Sequence, residues 1–202
     1  MNCIAIIDGN YINNVAKQYK MRNSNLPHSI FNVFERYKKE YCSNLHLLRI
    51  RYHDSPGYLS NPPTNDEQKH YDTKESFFTK HIKNYSRMEL VRGRCVKREF
   101  DNGTPKYEQK GVDVNIAIDI IKYSKTISSL LVFTLDSDLI PAFDLGRNNG
   151  AETILVTSEQ IKVSPGGSIE KLIHACDVHI TMKEQDFKDN NSFSKKYFYF
   201  SE

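Results

Sequence analysis

Four aspartates sit where a folded chain would expose carboxylates rather than bury them. Asp8 directly follows the apolar run Cys3-Ile4-Ala5-Ile6-Ile7, and Asp136 and Asp138 follow Leu130-Leu131-Val132-Phe133-Thr134 in the same way. Asp113 comes just after Lys110-Gly111, bracketed by Val112 and Val114, in the first turn of a helix rather than on its apolar side. Carboxylates crowded at one edge repel each other unless a cation neutralises them. Hard oxygen donors of this kind suit Mg²⁺ or Mn²⁺. Any one of the four fits an ordinary helix N-cap or first-turn position favoured by the macrodipole. Four together, on ends that face one edge, call for a further role.

The elements that must hold them follow from the pattern of apolar residues. Cys3–Ile7, Leu45–Tyr52, Leu130–Thr134, Thr153–Val156 and Val178–Thr181 are short apolar runs, as expected of strands buried on both faces. Helical spacing marks the stretch after Asp8-Gly9-Asn10, through Ile12, Val15 and Tyr19. It also marks Ser29–Tyr41, Asp66–Tyr85, Val112–Tyr123, Leu139–Asn149 closed by Gly150, and Ser168–Ala175 under a Ser168 cap. Breakers make 55–64 a loop, and Met88–Phe100, the turn Asp101-Asn102-Gly103 and Lys106–Gln109 together predict a β-hairpin. Strands alternating with helices imply right-handed βαβ units. The expected fold is α/β: a single three-layer domain over 1–182, with a mostly parallel central sheet flanked by helices, a β-hairpin extension, and a C-terminal tail over 183–202. In such sheets ligands bind beyond the C-terminal strand ends, where Asp8 and Asp136 can approach each other. Asp119, among Ile118, Ile120 and Ile121, reads either as an acid supporting the site from behind or as a partly buried structural one.

Composition excludes several classes. The 202 residues carry 28 Lys+Arg against 25 Asp+Glu, a formal +3, so attraction to polyanions must come from local clustering. No apolar run reaches the ~18 residues of a membrane span, and the N-terminus lacks the basic, then apolar, build of a signal peptide. The four cysteines are scattered without CxxC spacing, which predicts a reduced, cytoplasmic protein. His174-Ala175-Cys176-Asp177-Val178-His179 straddles a helix end and a strand, so its side chains diverge and a zinc site is not expected.

The segments Ile6-Ile7-Asp8-Gly9-Asn10-Tyr11, Gln109-Lys110-Gly111-Val112-Asp113-Val114 and Thr134-Leu135-Asp136-Ser137-Asp138-Leu139 resemble, in order and context, the NYN family of LabA-like PIN domains. The downstream strand Thr153–Val156 and Leu172-Ile173-His174-Ala175-Cys176-Asp177 are similar as well. The resemblance runs from residue 1 to about 182 and is weak between about 50 and 100. It implies a PIN-like, Rossmannoid fold and a metal-dependent ribonuclease, with Asp8, Asp113, Asp136 and Asp138 as the acidic set and Asn10 beside Asp8. Thr134 matches the Ser/Thr two residues before the third acid. Leu135 and Leu139 depart from the family, which usually has Gly before the first Asp of this motif and Phe after the second.

On this reading Asp8 and Asp136 are the expected direct ligands of Mg²⁺ or Mn²⁺. Asp113 and Asp138 ligate through water, complete a second metal site, or orient the attacking water. Neutral Asn10 and Thr134 orient ligands or the scissile phosphate. RNA as a partner needs cations too, and residues 80–110 hold nine Lys and Arg against four acids, a local +5. Arg92, Arg94 and Arg98, sharing one strand face at period two, and Lys110 are the expected phosphate contacts, with Tyr85 and Tyr107 as stacking platforms. Two rivals stand beside this reading. One is a non-catalytic PIN-like module that binds RNA or protein. The other is a haloacid-dehalogenase-type phosphatase with Asp136 as nucleophile, since Leu131–Asp138 also resembles that family's strand ending in DxD. Whether the chain forms a homo-oligomer stays open.

Overall fold

A computed structural model of the chain describes residues 1–99 and 105–188. Six strands form one all-parallel sheet: β1 (Asn2–Asp8), β2 (His46–Asp54), β3 (Met88–Arg92), β6 (Ser129–Phe133), β7 (Glu152–Ser158) and β8 (Val178–Met182), in the order β3-β2-β1-β6-β7-β8. A second, two-stranded antiparallel ribbon joins β4 (Arg94–Glu99) to β5 (Pro105–Lys110). The helices are α1 (Gly9–Gln18), α2 (Leu26–Tyr41), α3 (Asn65–Phe77), α4 (Val112–Tyr123), α5 (Ile140–Asn148) and α6 (Ser168–His174). The expected α/β fold with three layers and a hairpin extension is therefore present. Among the described residues no helix is long and apolar enough to cross a membrane.

Strand alternation divides the core in two. Cys3, Ala5 and Ile7 of β1, with Leu131 and Phe133 of β6, pack against α1 and α2 through Ile12, Val15, Phe31 and Phe34. Ile4, Ile6, Leu130 and Val132 point the other way, onto Val112, Ile116 and Ile120 of α4 and Phe143 of α5. The period-two rule thus sends the strand's even positions, and Asp8 after them, toward the α4 layer. Connections leave β1 toward β2 and β3, while the second half of the chain builds outward from β6, so the order reverses between β1 and β6. Such a reversal opens a crevice at the C-terminal strand ends. Asp8 stands on one side of it and Asp136 on the other.

Several expectations need correction. Met88–Arg92 is not part of the hairpin. It pairs in parallel with Ile50–Asp54 as the sheet's edge strand, and Gly93 then turns the chain into β4. Only a residue without a side chain fits there, since a Cβ at Gly93 would lie 2.6 Å from Val112 Cγ2. Arg92 and Arg94 consequently lie on different strands, not on one face at period two. The helix expected over Asp66–Tyr85 ends at Phe77 and passes into a π-helical turn, Phe78–Ile82, which seats Phe78 and Ile82 in the core. Helix α2 starts three residues early, with Pro27 in its first turn, and α6 is capped by Gly167, not by Ser168. The turn Asp101-Asn102-Gly103 and the run Tyr197–Phe200 lie outside the described residues. Beyond β8 the chain makes a 3₁₀ turn, Glu184–Phe187, that docks on α2. There Phe187 is buried, Asp186 pairs with Arg36 at 3.0 Å, and Asn32 Nδ2 donates to the Asp186 carbonyl.

Asp119 proves to be structural. It is buried on α4 and receives Arg51 Nε of β2 at 2.8 Å, with His53 Nε2 3.0 Å away. Burial works against its charge, yet these two partners hold its carboxyl below the usual range. The pair fastens α4 to the far side of the sheet and so fixes where that helix begins.

The β1–α1 turn is pressed onto β2, and a Cβ at Gly9 would meet the His53 carbonyl oxygen at 2.8 Å and Asp54 Cβ at 2.9 Å. Backbone cannot yield as a flexible side chain does, so Gly9→Ala is expected to destabilise the domain by about 1–3 kcal/mol. Urea denaturation checks this, and an unchanged midpoint would show that the turn has room.

Candidate active site

Each acidic residue is delivered by a local device. Asp8 ends β1 in extended conformation and caps α1, its Oδ1 accepting the amides of Asn10 at 2.9 Å and Tyr11 at 3.1 Å. Past β6, Thr134 is buried and its Oγ1 accepts the Asp136 amide at 3.1 Å; Asp136 Oδ1 in turn accepts the Asp138 amide at 2.9 Å. Asp113 depends on Gly111, whose φ of 78° starts α4 sharply after β5 and sets the carboxylate in its first turn. Leu135, where the family usually has Gly, packs against the α1 side of the core, away from these carboxylates.

Electrostatics tie the set together. Burial first, then the charges of Asp113 and Asp54, raise the Asp8 carboxyl to about 6 against two lowering backbone hydrogen bonds. Asp113 is raised as well, by partial desolvation and then by Asp136 and Asp138. All four expected acids therefore belong to one field, with Asp113 at its centre. They do not all line one cavity. A cleft of about 440 Å³ is walled by Asp8, Asn10, Asp113, Ser55, Pro56, His70, Lys74, Cys95, Tyr107 and Gln109, while Asp136 and Asp138 lie outside its lining.

The sequence reading missed the floor of this cleft. Asp54 is 1% exposed, and its Oδ1 accepts the Ser55 amide at 2.7 Å, Lys74 Nζ at 2.7 Å and Gln109 Nε2 at 2.8 Å. Its Oδ2 is buried without a partner among the described residues. The signal was available, because Asp54 ends β2 as Asp8 ends β1. Lys74 carried no such signal, since α3 is polar all round and offers no reason to choose one lysine.

The basic side is largely occupied. Arg92 forms a bidentate pair with Glu75 at 2.5 and 2.7 Å. Arg98, Lys106 and Lys110 all converge on Glu108, at 2.9, 3.3 and 3.2 Å. Arg94 is exposed and has no carboxylate partner among the described residues. Tyr85 is buried beside His28 and Phe31, so it is no stacking platform. Tyr107 is 48% exposed beside Tyr58.

The donors fit a hard divalent cation in one specific way. Among the described residues no three His, Cys, Asp or Glu side chains enclose an ion by themselves. Mg²⁺ rarely asks for that, being held by one or two carboxylates while keeping water and substrate oxygens. Asp8, raised by burial and by Asp113, and Asp113, raised by partial desolvation and by Asp136 and Asp138, are two carboxylates in an open cleft, an incomplete set of that kind.

A sheet of this order, with acids on both sides of its reversal and a cleft beyond the strand ends, defines a PIN-like α/β domain of nuclease-like build. The sequence model of the NYN domain matches residues 4–183, and the chain belongs to the NYN domain family within the PIN-like superfamily. A crystal structure of a protein of unknown function from Vibrio parahaemolyticus is similar in fold at 12% identity, with a TM-score of 0.52 over 92% of this chain and 94% of that one. No curated protein matches the sequence significantly.

The raised Asp8 carboxyl has a pH consequence. Its folded value of about 6 lies above the ordinary 3.8, so its contribution to stability is complete below pH 4 and is lost as pH rises through 6. Asp8→Asn keeps a capping oxygen and removes the charge. In EDTA the variant should gain on the wild type by roughly 1–3 kcal/mol between pH 4 and pH 7.5. Urea denaturation at both pH values measures the gain; an equal difference at the two would refute it.

Proposed function

We propose that this domain hydrolyses phosphodiester bonds of single-stranded RNA, as a metal-dependent endoribonuclease acting in the cleft of Asp8 and Asp113. The observation that carries the reading is the meeting of these two carboxylates at the sheet reversal, with Asp136 and Asp138 in the same field. Asp8 and Asp113, with Asp136 from across the crevice, are the residues that would hold Mg²⁺ or Mn²⁺. The chemistry such a cation supplies when bound is Lewis acidity, which eases deprotonation of water and stabilises charge building on the phosphoryl oxygens.

The chain's own groups do the rest. Asp113, raised by its neighbours, would hold the cation through water and so stays free to take the proton of the attacking water. Asn10, exposed on the cleft wall, orients the phosphate without adding negative charge. Thr134 is buried and acts through Asp136, whose amide it fixes, rather than by touching substrate. Asp138 adds to the negative field from the surface. Lys74 neutralises Asp54, so the cleft floor does not repel RNA. Four free cysteines suit a reducing, cytoplasmic setting.

End-labelled single-stranded RNA incubated with Mg²⁺, Mn²⁺ or EDTA tests the reading. Cleavage is expected with either cation and not in EDTA. Asp8→Asn, Asp113→Asn and Asp136→Asn should each lower it by about 100-fold or more, the order of loss when a group acting on the transition state is removed, with circular dichroism unchanged. Full cleavage in all three variants would refute the assignment. Binding without cleavage under any cation would leave a PIN-like binding module, and trapping of phosphate on Asp136 would favour the dehalogenase-type rival.

Arg94 and Arg92 should separate in binding. Arg94→Ala is expected to lower the magnitude of the log–log salt slope of RNA binding by ~0.7, the loss of one phosphate contact. Arg92→Ala should change it less, because Glu75 already holds that guanidinium. Equal slopes for wild type and Arg94→Ala would show that RNA enters along another surface.

A further inference from the structure

A second pocket, of about 260 Å³, adjoins the acidic cleft. It is lined by Tyr58, Asp66, Glu67, His70, Cys95 and Tyr107, of which His70, Cys95 and Tyr107 also wall the cleft. None of these residues belongs to the parallel sheet. The pocket is built by the loop after β2, the start of α3 and the β4–β5 ribbon, and all of its lining but Tyr107 falls within the stretch where resemblance to the family is weak.

Its walls have two characters. Tyr58 and Tyr107 stand with ring centroids 5.6 Å apart at 41°, and Tyr107 keeps about half of its surface open. Opposite them lies Glu67, 95% buried yet held as a carboxylate. Its Oε2 is filled by Ser60 Oγ at 2.5 Å and the Thr64 amide at 3.1 Å, the latter within the capping box that starts α3. These bonds, the Ser60 hydroxyl foremost, lower its carboxyl to about 2. Oε1 is different, receiving among the described residues only the long contact of Tyr107 Oη at 3.4 Å and Lys97 Nζ at 3.9 Å. The capping box needs one oxygen of Glu67, so the other is left facing an aromatic pocket.

Aromatic faces beside a phosphate-handling cleft offer stacking to a base. An ionised carboxylate can only accept hydrogen bonds, so whatever fills the pocket must present N–H or O–H to it. We propose that this pocket is a nucleobase subsite, which takes the base of a nucleotide adjoining the cleft, stacks it on Tyr107 and Tyr58, and receives an exocyclic amino group on Glu67 Oε1. The proposal rests on the reading of the cleft as an RNA site. It predicts a preference for guanine, adenine and cytosine over uracil. Uracil has no amino group, and its pairing-edge N–H lies between two carbonyl oxygens that would face the carboxylate.

The test is binding without chemistry. The full chain in EDTA is titrated calorimetrically with GMP, AMP, CMP, UMP and ribose 5-phosphate. The three amino-bearing nucleotides should bind, UMP about 5-fold or more weaker, and ribose 5-phosphate weaker than all of them. Tyr107→Ala should weaken the amino-bearing nucleotides on the order of 10-fold, as loss of one stacking partner does, while Tyr107→Phe stays near the wild type. Glu67→Gln should erase the preference over UMP; if it fails to fold for want of its capping box, the Tyr107 pair and the nucleotide ranking decide alone. Equal binding of UMP, equal binding of ribose 5-phosphate, or no effect of Tyr107→Ala would each overturn the proposal. The two readings fail separately. Nucleotide binding lost in Tyr107→Ala, with no RNA cleavage by the wild type, keeps the subsite and removes the nuclease. RNA cleavage with nucleotide binding indifferent to Tyr107 does the reverse.

Discussion

Like charges held together at the open edge of a parallel sheet are the constraint on which this structure turns. Asp8 is raised to about 6 by burial and by Asp113 and Asp54, and Asp113 is raised by Asp136 and Asp138. Backbone amides at the α1 start and at the turn after β6 relieve part of this, but no cation of the chain reaches Asp8 or Asp113 at ion-pair distance among the described residues. A domain organised for stability alone would not gather carboxylates this way. On the proposed reading the cluster's partner comes from outside, as a divalent ion and the phosphate it accompanies.

The rest of the domain keeps that cluster in place. The Arg51–Asp119 pair anchors α4 two turns beyond Asp113, and Gly111 starts the same helix without a side chain in the way. Gly9 lets the Asp8 turn lie against β2. Thr134 is buried so that its hydroxyl can hold the Asp136 amide. Packing, a buried ion pair and short hydrogen-bonded turns thus hold these positions, which suits a site whose carboxylates must not drift apart under their own repulsion.

Positive charge is handled differently on the two sides of the cleft. Inside, Lys74 is absorbed by Asp54, which also takes Gln109 and thereby ties α3 and the ribbon to the end of β2. Outside, Arg92, Arg98, Lys106 and Lys110 are paired with Glu75 and Glu108. The local +5 of residues 80–110 is thus mostly the mortar of the α3–ribbon extension, and exposed pairs of this kind contribute little each. Arg94 carries no such pair among the described residues, and the extension's open aromatic face at Tyr107 lies next to the cleft.

The sequence by itself determined the layers, the parallel sheet, and three of the motifs that carry the acids. Those features are local: buried strands show as unbroken apolar runs, amphipathic helices as a 3.6-residue period, and a carboxylate after a strand marks the edge where it must emerge. Tertiary structure decided the rest, because the deciding neighbours are distant in the chain. Met88–Arg92 reads equally well as a hairpin arm or a sheet edge, and only the Ile50–Asp54 backbone, 38 residues earlier, chooses. Tyr85 and Tyr107 look alike as sequence; one is buried beside Phe31 and the other half open beside Tyr58. Asp54 obeys the same strand-end rule as Asp8, yet Lys74 and Gln109, 20 and 55 residues away, make it a buried anchor rather than an open ligand. Residue type sets what a side chain can do; which charges meet it in the fold sets what it does.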